Sequence, residues 1–240
     1  MYRKCFANER SNVIEDKTNR AVLSAVEHDG VRCGLVGERE AMVARQGKWQ
    51  DHYTRRAKAE KWLARSVYKL EEIDRRFKLI RPRDHLLDLG CYPGSWSQYS
   101  CAKVGSKGNV VGIDLKEPKL AACTHFRFIK ADIFAVDPAE LRSEIGPRQV
   151  VISDLAPQTT GVGMADAARS LQLASKAYLI ALGLLEGDGR FLCKAFESED
   201  LNDLRRDLSE HFDQVKTAKP KAVRKRSREV YLIAQGFVHR

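Results

Sequence analysis

The stretch HLLDLGCYPGSW, residues 85–96, decides the fold of this chain, because it joins an apolar run, a glycine-containing turn and the start of a helical pattern. Residues 85–89 predict a buried strand, and residues 96–104 predict the helix that follows it. Gly90 and Gly94 lie in the turn between them, where the absence of a Cβ lets a ligand approach the backbone closely. The sequence therefore predicts a βα unit with a ligand at its turn.

The chain on either side repeats this alternation of short apolar runs and helical patterns. Further strands are predicted at residues 109–113, 126–129, 149–153 and 189–194, around Val215 and at residues 230–234. Further helices are predicted at residues 62–77, 171–185 and 201–212. Ser198 is the predicted N-cap of the last helix. Strands separated by helices predict a mainly parallel sheet with helices on both faces. The connection of about ten residues before the last strand is too short for a parallel crossover, so one of the last two strands is expected to run antiparallel.

The turn after the first strand narrows the class of ligand. Its two glycines are spaced G-x-x-x-G, which is neither the dinucleotide fingerprint nor a Walker loop, and Pro93 lacks the amide that would bind a phosphate. We expect instead a nucleoside cofactor without a pyrophosphate, such as S-adenosylmethionine. An ordinary βα turn without a ligand is the alternative interpretation.

Composition limits the remaining classes of protein. The 240 residues include 42 Lys+Arg and 32 Asp+Glu, a net charge of +10, and 43% hydrophobic residues, which is enough apolar material for a folded α/β domain and excludes a disordered chain. No run approaches the roughly 18 apolar residues of a membrane-spanning helix, and no apolar signal core follows the N-terminus. The six cysteines form no Cys-x-x-Cys pair and no zinc-type spacing with histidine. We expect a cytoplasmic protein without a metal.

The first fifty residues differ from the rest of the chain. Residues 1–50 have weak periodicity and no motif, whereas the pattern described above runs through residues 51–240. We predict a loosely ordered N-terminal extension at 1–50 and one domain at 51–240.

Charged side chains stand at the carboxyl ends of the later predicted strands, where ligands bind in sheets of this type. Asp114 is placed to accept hydrogen bonds from both ribose hydroxyls of an adenosine, Asp132 to reach the adenine edge, and Asp154 to lie near the methyl group of the cofactor. Each alone is equally consistent with a turn or cap aspartate. Lys194, which ends the fifth strand, is by itself consistent with a solvated strand terminus.

The basic residues are clustered, which favours a partner that carries phosphates. Residues 216–228 hold seven basic side chains and no acidic one, and a second cluster precedes the first helix: Lys216, Lys219, Lys221, Arg224, Lys225, Arg226 and Arg228, with Arg55, Arg56, Lys58 and Lys61. These clusters could hold RNA at the mouth of the site. A solvated basic loop is the alternative.

Four segments in this order resemble the FtsJ/RrmJ family of ribosomal RNA ribose 2′-O-methyltransferases. They are Arg65-Ser66-Val67-Tyr68-Lys69-Leu70, Asp88-Leu89-Gly90 with Pro93-Gly94 and Trp96-Ser97-Gln98-Tyr99, Ser153-Asp154-Leu155-Ala156-Pro157, and Arg226-Ser227-Arg228-Glu229-Val230-Tyr231. The resemblance covers about four-fifths of the chain, from about Trp49 to the end. It implies an α/β, Rossmann-like methyltransferase fold with a seven-stranded, mainly parallel sheet.

The resemblance also implies roles for individual residues. The catalytic tetrad of the family falls on Lys69, Asp154, Lys194 and Glu229, and its S-adenosyl-L-methionine contacts fall on Gly94, Trp96, Asp114, Asp132 and Asp154. We expect Lys194 to be the general base for a uridine 2′-hydroxyl, with Lys69 as the neighbouring cation that favours its neutral form. Asp154 would position Lys194, and Glu229 would tether Lys69 or the ribose. The partner would be large-subunit (23S-type) ribosomal RNA, and the enzyme a monomer.

Departures from the family pattern lie beside the cofactor turn and the acceptor, and none falls on the tetrad. Tyr92 adds bulk where the family has a small residue, Ser95 replaces a glycine, and Gln158 replaces an asparagine. Two other interpretations stay open: a ribose methyltransferase acting on transfer RNA or small-subunit ribosomal RNA, and a non-catalytic RNA-binding factor in ribosome assembly.

Overall fold

The computed structural model describes residues 52–120 and 123–239. The predicted extension at 1–50 lies outside these residues. Within them the chain forms seven strands in one sheet: β1 (His85–Leu89), β2 (Asn109–Asp114), β3 (Phe126–Lys130), β4 (Arg148–Ser153), β5 (Leu185–Phe196), β6 (Phe212–Ala218) and β7 (Glu229–Phe237).

The strand order is β3-β2-β1-β4-β5-β7-β6, and β7 runs antiparallel to both of its neighbours. The other neighbouring strands pair in parallel. The predicted fold, with one antiparallel strand among the last two, is therefore confirmed. Because the order reverses at β1, the carboxyl ends of β1 and β4 flank the point where a ligand crevice is expected.

Helices cover both faces of the sheet. Residues 52–59 are helical (α1), and α2 (Val67–Phe77), α3 (Ser95–Val104), α4 (Pro138–Ile145), α5 (Gly163–Leu184) and α6 (Leu201–His211) follow. One buried cluster packs α4, α5 and α6 against the sheet, and a second packs α2 and α3 against the opposite face. No described helix is long and apolar enough to cross a membrane.

Three predictions about helices were wrong in detail, and one helix was not predicted. The helix predicted at residues 171–185 already begins at Gly163 and ends at Leu184. The helix predicted from residue 62 begins only at Val67, because the chain turns at Lys61, whose φ is 59°. Ser198 is not the N-cap of α6, since Asp200 precedes its first residue and makes no side-chain cap hydrogen bond. The helix α4 was not predicted, although Asp137 accepts hydrogen bonds from two backbone amides at its start and a proline occupies its first turn.

Candidate active site

A cleft of about 830 Å³ opens at the carboxyl ends of β1 to β4. Its lining includes Gly90 after β1, Asp114 at the end of β2, Asp132 after β3 and Asp154 after β4. The three predicted carboxylates therefore lie together around one cavity. This follows from the parallel sheet, which brings the ends of successive strands to a common edge.

The turn after β1 places a glycine at the wall of the cleft. Gly90 has a φ of +81°, and a Cβ at this position would lie 2.8 Å from Cδ2 of Leu155. Asp88, behind the turn, is fully buried and accepts a hydrogen bond of 2.6 Å from the Ser97 hydroxyl. Burial raises the pKa of the Asp88 carboxyl to about 7. The turn thus requires a glycine, and a buried polar contact ties it to α3.

Backbone amides fix the orientation of two of the carboxylates. Asp114 Oδ2 accepts from the Tyr92 amide at 2.9 Å, and its Oδ1 accepts from the Lys116 amide at 3.0 Å. Asp132 Oδ1 accepts from the Phe134 amide at 3.0 Å, which starts a short 3₁₀ helix. Carboxylate oxygens have further lone pairs, so both groups can still accept from a ligand. Phe134 is an exposed apolar ring in the cleft, beside Asp132.

Gly94 and Trp96 are not among the residues that line this cleft. Gly94 has a φ of +116°, and a Cβ there would lie 2.8 Å from Cδ1 of Leu63. Trp96 is buried, its indole Nε1 donates to the Ser66 carbonyl at 3.0 Å, and its ring lies 5.9 Å from that of Tyr231. Both residues pack the core beneath the site, and their assignment to the cofactor stays a prediction of the resemblance.

The four residues of the predicted tetrad lie in one chain of polar contacts. Lys194 Nζ donates to the Asp154 carbonyl at 2.6 Å and to Asp154 Oδ1 at 3.0 Å. Lys69 Nζ forms an ion pair of 2.6 Å with Glu229 Oε1. Lys194 is only 7% exposed, on the strand end that faces β7. Two cations and two carboxylates are thus held together from α2, β4, β5 and β7.

Tyr231 connects the two pairs and was not predicted as a site residue. Its hydroxyl lies 2.6 Å from Glu229 Oε1 and 3.1 Å from Asp154 Oδ1. Burial and the two carboxylates raise its pKa well above the ordinary value, so the phenol keeps its proton. The single hydroxyl hydrogen of Tyr231 can be donated to only one of the two carboxylates at a time. A signal existed in the sequence, because Tyr231 follows Glu229 by two residues in a strand and therefore lies on the same face.

A second pocket, of about 370 Å³, adjoins the other end of this chain of contacts. Lys69 and Glu229 line it together with Arg65, Arg224 and Ser227. Asp154 lines the large cleft, so the polar chain runs from one cavity to the other. Such a site can hold two ligands with their reacting groups between Asp154 and Glu229.

The family model described as FtsJ-like methyltransferase matches residues 62–237, which is more than half of the chain. The chain belongs to this family. The match includes every residue of the predicted tetrad, and the cleft and the polar chain are thus parts of a methyltransferase. The family predicted from the resemblance of the four sequence segments is confirmed.

Relatives with assigned names agree with this family. The chain is 44% identical to the ribosomal RNA large subunit methyltransferase E of Bdellovibrio bacteriovorus over 187 residues, which cover 77% of this chain and 95% of that protein. It is 43% identical to the protein of the same name from Desulfosudis oleivorans, over 79% of this chain and 91% of that protein. A solved structure of a ribosomal RNA methyltransferase from Plasmodium falciparum superposes with a TM-score of 0.65 at 25% identity, covering 75% of this chain and all of that one.

Proposed function

We propose that this enzyme transfers the methyl group of S-adenosyl-L-methionine to the 2′-hydroxyl of a uridine in large-subunit ribosomal RNA. The observation that carries the proposal is the contact of buried Lys194 with Asp154, which lines the large cleft. The relatives named as large-subunit methyltransferases support the choice of RNA.

The residues of the large cleft fit a nucleoside cofactor. Asp114 is oriented by two amides to accept from ribose hydroxyls, and Asp132 stands beside the apolar Phe134, where a base edge and a base face could be bound. Gly90 also lines the cleft, so its backbone is accessible to a ligand without an intervening side chain. When bound, S-adenosyl-L-methionine supplies a methyl group activated by a positively charged sulfur, and Asp154 at the cleft wall would favour that charge.

Lys194 would remove the proton of the acceptor. The ribose oxygen forms its bond to the methyl carbon while the carbon–sulfur bond breaks, its electron pair stays on sulfur, and the hydroxyl proton passes to the amine. Lys194 donates two N–H groups to Asp154. The third position on its nitrogen can therefore face the hydroxyl of the acceptor. The amine must be neutral before it can accept the proton, and a positioned general base is worth about 10²–10⁴-fold in rate.

Lys69 and Glu229 contribute to binding of the RNA that accepts the methyl group. Because Glu229 compensates the charge of Lys69 at 2.6 Å, we assign Lys69 to orienting the ribose through its remaining N–H groups rather than to favouring a neutral Lys194. Arg65 and Arg224 in the same pocket would bind the flanking phosphates. Holding oxygen, carbon and sulfur in line supplies much of the remaining acceleration.

A methyl-transfer assay with the full chain tests the function. The enzyme is given S-adenosyl-L-methionine labelled in the methyl group and, separately, large ribosomal subunits, free large-subunit RNA, small-subunit RNA and transfer RNA from cells that lack the protein. We expect label only with the large-subunit material, at one uridine 2′-oxygen. Label confined to transfer RNA or small-subunit RNA would overturn the substrate, and no label in any RNA would favour the non-catalytic factor.

Removing the Asp114 carboxylate should weaken binding of the cofactor, through lost ribose contacts and through loss of the two amide contacts that orient the turn. In Asp114→Ala two charge-assisted hydrogen bonds to ribose hydroxyls would be lost, at about 1.5–3 kcal/mol each, which predicts a rise of at least about a hundredfold in the dissociation constant for S-adenosyl-L-methionine. Calorimetric titration measures it. Glu144→Ala, at an exposed carboxylate on α4, is the control and should bind normally; equal binding by both variants would remove Asp114 from the cofactor site.

Neutralising the basic stretch should reduce the salt dependence of RNA binding. Lys219 and Lys221 are exposed, and each phosphate contact contributes about 0.7–0.9 to the slope of log K against log salt. For Lys219→Ala with Lys221→Ala we expect a slope smaller by about 1.5 and weaker binding at low salt. Arg206→Ala with Lys107→Ala removes the same charge elsewhere. If both double variants show the wild-type slope, the stretch is a solvated loop.

A further inference from the structure

Two sulfur atoms and one imidazole nitrogen converge outside the methyl-transfer site. Cys101 lies on α3, and Cys123 and His125 lie just before β3. Their ligand atoms all lie within 4.8 Å of one another. The sequence indicated no metal site, because the 21 residues between Cys101 and the Cys-x-His pair do not match a zinc spacing.

The spacing of Cys123 and His125 fits a tetrahedral zinc site. The distance from Cys123 Sγ to His125 Nε2 is 3.5 Å. Zinc bonds of about 2.3 Å to sulfur and about 2.0–2.1 Å to nitrogen, at a tetrahedral angle, require about 3.6 Å between the two ligand atoms. Cys₂His is a borderline-soft donor set that suits Zn²⁺ rather than Mg²⁺ or Ca²⁺. Nε2 also lies 3.1 Å from the Cys101 carbonyl, a hydrogen bond that a bound metal would replace.

The three side chains differ in exposure. Cys101 is buried, while Cys123 and His125 are partly exposed. The partly exposed side gives a metal its entry path and leaves the fourth position for water.

We propose that Cys101, Cys123 and His125 bind one Zn²⁺ ion, with water as the fourth ligand. The ion would tie α3 to the start of β3 and so anchor the end of the connection from β2, whose first residues, Leu115 and Lys116, line the large cleft. The role is structural, and the proposal is independent of the RNA substrate.

Metal binding by the full chain tests the proposal. Metal-free protein is titrated with Co²⁺ and with Zn²⁺ in the presence of a chromogenic chelator under reducing conditions. We expect one equivalent of Zn²⁺ per chain, thiolate-to-cobalt charge-transfer absorption with the visible bands of a tetrahedral site, and a higher unfolding temperature with Zn²⁺. Cys123→Ser and His125→Gln should each weaken binding on the order of 100-fold or more, since even outer partners of a ligand contribute 10–100-fold.

A second variant tests whether the cysteines of the first fifty residues take part. Cys5→Ser with Cys33→Ser removes the thiols of the first fifty residues and should leave the stoichiometry and the cobalt spectrum unchanged. Wild-type affinity in Cys123→Ser, or a cobalt spectrum without charge-transfer bands, would overturn the assignment. A Cys101–Cys123 disulfide formed under mild oxidation, together with no metal uptake by the reduced protein, would also overturn it and identify a redox pair.

Discussion

Lys194→Ala should lower the rate of methyl transfer by about 10²–10⁴-fold while the affinity for S-adenosyl-L-methionine stays close to that of the wild type. The side chain contacts Asp154 rather than forming the wall of the large cleft. The loss should therefore appear in kcat and only weakly in cofactor binding. Single-turnover transfer to saturating large subunits, with a parallel cofactor titration, measures both quantities.

Two further variants distinguish proton abstraction by Lys194 from an electrostatic effect of its charge. Lys194→Arg keeps a cation beside Asp154 but cannot give up its proton, so it should be as inactive as Lys194→Ala. Lys107→Ala, between α3 and β2, removes a surface lysine and should have full activity. If Lys194→Arg transferred methyl groups at more than about a tenth of the wild-type rate, Lys194 would act by electrostatics and another group would take the proton.

The strands were predicted well because their signal is local. Short apolar runs that end at glycine or aspartate placed β1, β2, β3 and β4 within one residue of their observed ends. The start of β5 was less well placed, since the strand begins at Leu185 and passes through the exposed Gly187 and Asp188 before the predicted residues. The length of one connection predicted that one of the last two strands is antiparallel, and the structure shows that it is β7.

The site was predicted in part for the same reason. Asp114, Asp132 and Asp154 line one cleft because the rule for parallel sheets converts positions in the sequence into a common edge. The pairing of Lys194 with Asp154 and of Lys69 with Glu229 came from the resemblance, because no local pattern brings α2 to β7. Tyr231 looked like an apolar strand residue, and its hydroxyl gained importance only through the two carboxylates placed beside it.

The convergence of Cys101 with Cys123 and His125 shows the limit of spacing rules. These rules describe metal sites built on one compact motif, whereas here α3 supplies one ligand and the segment before β3 supplies two. Only the packing of α3 against β2, the neighbour of β3 in the sheet, brings them together. Sequence patterns thus predict what each segment is, and they fail where long-range packing decides which side chains meet.

Asp84→Ala should destabilise the protein by about 3–5 kcal/mol, because it leaves a buried guanidinium without its carboxylate. Arg190 and Asp84 form an ion pair of 2.9 Å with side-chain exposures of 3% and 7%, and Arg190 also donates to the Leu79 carbonyl at 2.8 Å. The pair joins β5 to the loop before β1, at the edge opposite the cleft. At about 2–4 °C per kcal/mol for a chain of this size, the unfolding temperature should fall by on the order of 10 °C.

A double-mutant cycle shows whether the charge pair itself is responsible. Arg190→Met should cost much less in the Asp84→Ala background than in the wild type, because the unpaired buried cation is then gone. Arg206→Ala, which breaks an exposed ion pair on α6, should leave the unfolding temperature nearly unchanged. Additive losses in the cycle would mean that packing at the two positions, and not their ion pair, holds β5 to the loop before β1. The same cofactor affinity in all folded variants would show that this contact acts on stability alone.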